Sequence, residues 1–200
     1  MVRPAELRGH NHALLIRLDR SSGMRSYVGR NLGAFLELMI FSASRSIWMC
    51  SPRISPNFAQ KLVELAKEGV DVKVITESSR NEESANILRK ALKTNRESEG
   101  GKEGAVRPQL DYLILKQGAG ELQLRLYIID GRQAVIGSAD LTESDLYGGI
   151  EYVIIMDDAR DVEKIMEDFI ALWRIYSGLS DDAVEFTRSF PKSMLSQRVT

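Results

Sequence analysis

The apolar positions of this chain change period along its length, and each change marks an element. Between residues 27 and 43, Tyr27, Leu32, Phe35, Leu36, Met39, Ile40 and Ala43 recur at three- and four-residue spacings, which predicts one amphipathic helix. Ser46 to Cys50 is short and nearly all apolar, the pattern of a buried strand. Ser55-Pro56 then supplies an N-cap and first-turn pair for a helix carrying Phe58, Leu62, Leu65 and Ala66 and stopping at Gly69. Val70 to Ile75 reads as a second strand. A strand, a crossover helix and another strand form a parallel, right-handed unit by default, so the first half is α/β.

Residues 84 to 94 predict another short amphipathic helix, and residues 95 to 104 hold no apolar side chain, the composition of a mobile loop. Strand signals then follow at 110–115, 122–129, 134–136 and 151–156, broken by a GAGE turn at 118–121 and by Asp130-Gly131. Asp-Gly between two apolar runs is a strong hairpin signal. Residues 161 to 176 align Val162, Ile165, Met166, Phe169, Leu172, Trp173 and Tyr176 on one helical face, and these aromatics read as core packing. The pattern predicts an α/β domain with a mixed β-sheet flanked by helices over residues 27–178. A basic segment, 1–26, precedes it and a polar tail, 179–200, follows.

Composition narrows the class. Two hundred residues with 44% hydrophobic content suffice for one sizeable core. Cys50, the lone cysteine, sits in an apolar run and cannot form an intrachain disulfide, which favours a reduced, cytoplasmic setting. There is no signal-type apolar run near the start and no stretch long enough to span a membrane. The net charge of −1 hides an asymmetry. Residues 1 to 36 carry Arg3, Arg8, Arg17, Arg20, Arg25 and Arg30 against Glu6 and Asp19, whereas residues 139 to 168 carry ten carboxylates against Arg160 and Lys164. A basic arm can bind nucleic acid, and opposite blocks can steer self-association.

One constellation could hold chemistry. Strand alternation over 122–129 sends Gln123, Arg125, Tyr127 and Ile129 to one face, and the Asp-Gly turn brings Gly137, Ser138 and Asp140 alongside, with Glu151 opening the next strand. Arg53, just after an inner strand, lies where α/β sheets bind ligands and is a further candidate. His10 and His12 share a face if extended, but without a further ligand cluster no metal site and no cofactor is expected.

Ile-Trp-Met-Cys-Ser-Pro (47–52), Glu-Gly-Val-Asp-Val-Lys-Val-Ile (68–75), Leu-Gln-Leu-Arg-Leu-Tyr-Ile-Ile-Asp-Gly (122–131), Ile-Gly-Ser-Ala-Asp-Leu-Thr (136–142), Glu151 and the closing helix with Phe169 and Trp173 together resemble one phospholipase D superfamily domain. The resemblance spans about residues 27 to 177. It implies an H-x-K-x(4)-D and G-S-x-N signature, a phosphohistidine intermediate, and a site formed where two motifs meet, so that a single-domain member dimerises. By this resemblance the nucleophilic histidine falls on Gln123, the lysine on Arg125, the aspartate on Asp130, the serine on Ser138, the asparagine on Asp140, and the histidine-orienting carboxylate on Glu151.

Three of these positions depart from the signature. A glutamine amide is neither nucleophilic nor titratable, so the phosphohistidine route is closed. Arginine keeps a cation that can grip phosphate with two parallel hydrogen bonds, while Asp140 puts a carboxylate where a neutral donor would sit. Arg125, Asp140 and Glu151 therefore read as a structural ion-pair network, as a pocket for a phosphate-containing ligand with Arg125, Ser138, Tyr127 and Arg53 as its contacts, or as residual catalysis. Asp130 reads as a turn residue. The leading expectation is a catalytically degenerate, homodimeric binding or scaffold module with nucleic acid as partner. The alternatives are a residual phosphodiesterase or nuclease using a histidine from elsewhere or from a heteromeric partner, and a ligand-sensing regulatory subunit like those of some archaeal transcription regulators, although 26 leading residues are too few for a winged helix.

Overall fold

The computed structural model describes residues 5–9, 12–19, 23–97, 109–117 and 119–187. Its centre is a ten-stranded sheet with the spatial order β1-β2-β3-β9-β8-β7-β4-β5-β6-β10. The strands are β1 (Ala5–Gly9), β2 (His12–Asp19), β3 (Met24–Arg30), β4 (Ser46–Cys50), β5 (Asp71–Glu77), β6 (Leu110–Leu115), β7 (Leu126–Ile129), β8 (Gln133–Gly137), β9 (Ile150–Met156) and β10 (Val184–Phe186). β4, β5 and β6 run parallel to one another, and the remaining neighbours pair antiparallel, so the sheet is mixed as the alternating helix and strand signals require.

The helices are α1 (Gly33–Phe41), α2 (Pro56–Lys67), α3 (Glu82–Glu97) and α4 (Ala159–Ser177). Each central strand divides its side chains between two apolar layers. Ile47 and Met49 of β4, with Tyr127 and Ile129 of β7, meet Leu36, Ile40, Phe58, Leu62 and Leu88 from α1, α2 and α3. Trp48 and Cys50, with Leu126 and Ile128, meet Val162, Phe169 and Trp173 of α4. The aromatics of α4 are core, with Phe169 between Trp48 and Trp173 at ring separations of 5.6 and 6.0 Å.

Several element boundaries differ from the sequence reading. Residues 27 to 32 are not helical: Tyr27 lies in β3 opposite Val153, and α1 begins only at Gly33. Asn31, with φ 57°, interrupts the backbone between strand and helix, and seven pairings to β9 outweigh a local helical spacing. β7 opens at Leu126 rather than Leu122, although Leu122 and Leu124 still pack on the α4 side as alternation demands. α3 runs on to Glu97, taking in the first residues of the expected loop, and residues 98–108 of that loop lie outside the described residues, as does the first residue of the GAGE turn. The N-terminal segment contributes β1 and β2 to the sheet, and Val184–Phe186 adds an edge strand against β6.

Candidate functional site

The candidate residues gather at the end of β7, β8 and β9 away from the Asp-Gly turn. The turn builds this hairpin: Asp130 and Gly131 both adopt positive φ, 55° and 63°, and Arg132 N donates to Ile129 O at 3.0 Å. Asp130 itself lies at the far end of β7 from Gln123 and has a structural task. Its carboxylate accepts the backbone N–H groups of Ser44 (3.0 Å), Arg45 (2.8 Å) and Ser46 (3.0 Å) and the Ser44 hydroxyl (3.0 Å). Burial pushes its pKa up, but these donors outweigh that and hold it below the ordinary aspartate value.

Gly137 ends β8 because nothing larger fits: a Cβ there would collide with Tyr152 O and sit 2.7 Å from Val153 Cγ1. That close approach delivers Ser138 to β9. Ser138 N donates to Tyr152 O and Tyr152 N donates back to Ser138 Oγ, both at 3.0 Å, while the hydroxyl donates to Glu151 Oε2. Glu151 is buried, and burial first, then the charges of Asp145 and Asp140, raise its pKa against the pull of Ser138 and Arg125.

Asp140 is fully buried and stands between two arginines. Arg125 Nε donates to its Oδ1 at 2.9 Å, and Arg53 Nε donates to its Oδ2 at 2.6 Å. Arg53 Nη2 reaches both oxygens of Asp145 at 2.9 and 2.8 Å, and the Asp140 backbone N–H donates to Asp145 Oδ2 at 3.1 Å. Arg125 Nη1 closes the other side on Gln123 O at 2.8 Å. The hydrogen bond to Asp140 is the largest influence on Arg53 and raises its already high pKa.

The loop after β4 is tied to the segment after β8 by backbone as well as by charge. Ile54 bridges Leu141 in parallel, Ser55 N donates to Leu141 O at 2.9 Å, and Leu141 N donates to the Ser51 hydroxyl at 3.1 Å. Asp145 projects from a π-helical turn, Ser144–Gly148, a local widening of the kind that often marks functional sites. Sequence reading did not single out Asp145. Its place in the acidic run was visible, but only the turn's fold aims it at Arg53.

The other candidates separate. Gln123 is exposed and its amide nitrogen donates to Glu121 Oε2 at 3.0 Å. Arg125 is neutralised by Asp140, and Glu151 takes Ser138 instead. Tyr127 is buried with its hydroxyl donated to Ala139 O at 2.9 Å, so the strand face that carries it is core at that depth. A shallow cleft of about 310 Å³ opens beside Arg53, lined also by Ser55, Arg80, Ser84 and Thr142. His10 lies outside the described residues. Among the described residues, no three His, Cys, Asp or Glu side chains are grouped to hold a metal ion.

The architecture has counterparts among known proteins. The profile of a family described as cardiolipin synthase, PLD-like domain, matches residues 36–173. The chain belongs to the phospholipase D superfamily. It is 26% identical over 148 residues to the mitochondrial cardiolipin hydrolase of Xenopus tropicalis, covering 74% of this chain and 63% of that relative's length. In fold it is similar to Nuc, a phospholipase D family member from Salmonella typhimurium, with a TM-score of 0.55, 18% identity, and coverage of 78% of this chain and 90% of the other. The archaeal chromatin protein TrmBL2 is similar with a TM-score of 0.50 and 18% identity, over 79% of this chain and 54% of its own. Among the described residues of this phospholipase D-like chain, no helix is long and apolar enough to cross a membrane.

Chemically, this phospholipase D-like site offers the exposed amide of Gln123, two arginines paired with two aspartates, and one carboxyl of raised pKa bound to a serine.

Proposed function

We propose that this phospholipase D-like chain is a cytoplasmic, catalytically degenerate member of its superfamily that acts as a homodimeric binding or scaffold module, with nucleic acid as its partner. The observation that carries the reading is the closed ion-pair network beside Gln123. Phosphohistidine chemistry needs a titratable nucleophile, and Gln123 offers an amide that turns to Glu121. It also needs cations free to grip phosphate, and both nearby arginines are held by buried or half-buried carboxylates. Nucleic acid is favoured by the arginines of residues 1–36, which give that part of the sequence a surplus of cations. One of them, Arg25, is drawn back to Asp157 at 2.7 Å, so the arm acts through the others.

A phosphodiester reporter incubated with the wild type and with Gln123→His tests the silent site. No turnover is expected from the wild type. Turnover that disappears in a His10→Ala, His12→Ala double variant would instead support the residual phosphodiesterase. Fluorescence polarisation against single- and double-stranded nucleic acid tests the partner, with affinity expected to fall steeply as salt rises. Absence of any salt-dependent binding removes nucleic acid from the reading.

A further inference from the structure

We infer that β1 is a self-pairing edge at which a second copy of this chain extends the sheet. β1 (Ala5–Gly9) ends the strand order, so among the described residues β2 is its one neighbour, and its other side presents backbone hydrogen-bonding groups to no strand. An edge of this kind pairs with another chain unless its sequence opposes the match, as charges of one sign or a proline within the strand do. β1 reads Ala-Glu-Leu-Arg-Gly, with a carboxylate and a guanidinium on either side of a leucine.

The charges select one alignment of two copies. In an antiparallel pair centred on Leu7, which uses all five residues, Glu6 of each copy stands opposite Arg8 of the other and Leu7 meets Leu7. Centring the pair on Glu6 or on Arg8 opposes like charges, a half-step sets Leu7 against a charge, and a parallel in-register pair opposes like charges at both positions. The apolar layer agrees with the same centre. One register row runs through Ala5, Ile16, Tyr27 and Val153, and Tyr27 and Val153 belong to the core layer shared with α1 and α2. Leu7, two positions on from Ala5, falls in the same alternation, so Leu7 against Leu7 continues that layer across the twofold axis. Five residues make a contact well short of a stable interface, so the edge closes at high protein concentration. It goes beyond the proposed homodimer and does not need it: a chain with both contacts assembles past a dimer.

Sedimentation velocity of the full chain over a concentration series tests the edge with charge reversals. Arg8→Glu leaves two negative positions on β1, and Glu6→Arg leaves two positive ones. Each variant alone is expected to lose the faster species that wild type forms at high concentration. An equimolar mixture of the two is expected to regain it, and the Glu6→Arg, Arg8→Glu double variant to form it as wild type does. Single variants that associate like wild type overturn the inference, as do a mixture that sediments like its components, a double variant that does not associate, and a wild type with no faster species. If a single variant does not fold, amide hydrogen exchange of residues 5–9 in wild type decides: protection lost on dilution supports the pairing, and exchange unchanged by dilution overturns it. The homodimer reading is judged separately by the slower species, which is a dimer if that reading holds and a monomer if it fails.

Discussion

Glu151 and Asp140 are both buried carboxylates, yet arginines meet only Asp140 directly. Glu151 has a hydroxyl for its partner and a pKa raised mainly by burial, so the folded state holds its proton more tightly than the unfolded chain does. Its contribution to stability is therefore fully present below the ordinary glutamate pKa and is lost as pH rises through the raised one. Glu151→Gln mimics the protonated form. Its stability relative to wild type should increase between pH 4 and pH 7 in urea titrations, and a constant difference across that range would count against the assignment. Gly137 gives a second residue-scale prediction: with Val153 Cγ1 at 2.7 Å and Val153 Cα at 2.9 Å from a modest Cβ, Gly137→Ala should cost about 2–3 kcal/mol by chemical denaturation. The signature letters at 137 and 138 were legible in sequence because a close strand approach admits so little else. Asp145 was not, since a carboxylate five positions beyond Asp140 gains meaning only when a π-helical turn aims it at Arg53.

At the scale of elements, the hairpin of β7 and β8 is anchored at both ends by aspartates with different tasks. Asp130 gathers three successive backbone N–H groups of the connection from α1 to β4, fixing where β4 enters the sheet. Asp130→Ala should cost about 2 kcal/mol by leaving those donors to water, and thermal melts of that variant against Asp130→Asn separate lost acceptors from altered turn geometry. Lys73 shows how a strand meant for burial on both faces tolerates a cation: it lies over the Trp48 ring at 5.0 Å and pairs with Asp71, whose other oxygen accepts the Trp48 indole N–H at 2.8 Å. The strand and helix types of the parallel unit followed from local pattern. The first helix was overextended because Tyr27, Leu32 and Phe35 fit a helical spacing as well as they fit a strand followed by a helix, and pairing with β9 decided between them.

For the whole molecule, a surface remains uncovered. Leu38 is 71% and Ile150 67% exposed, with Phe35, Tyr147 and Tyr152 also exposed nearby on α1, the π-helical turn and β9. α1 is apolar around most of its circumference, and such a helix ordinarily has both sides covered. The proposed homodimer would cover this rim. Sedimentation velocity should show a dimer for wild type and a folded monomer for the Leu38→Glu, Ile150→Glu double variant, whose positions face solvent in the single chain. A wild-type protein that stays monomeric at high concentration would exclude the homodimer. The acidic half is partly consumed within the chain, since Asp157 holds Arg25 and Asp140 and Asp145 hold Arg53, so bulk charge asymmetry overstates the charge left for partners.

By itself the sequence determined most of the alternation of strands and helices, the Asp-Gly hairpin and the resemblance to the family, because each depends on residue identity and short-range spacing. Only the tertiary structure decided which carboxylate meets which cation. Arg53 and Asp140 are 87 positions apart in sequence, yet the bridge between Ile54 and Leu141 brings their segments side by side. A charge within hydrogen-bonding reach outranks any charge nearby in the chain, and that reach is set by how the strands are ordered.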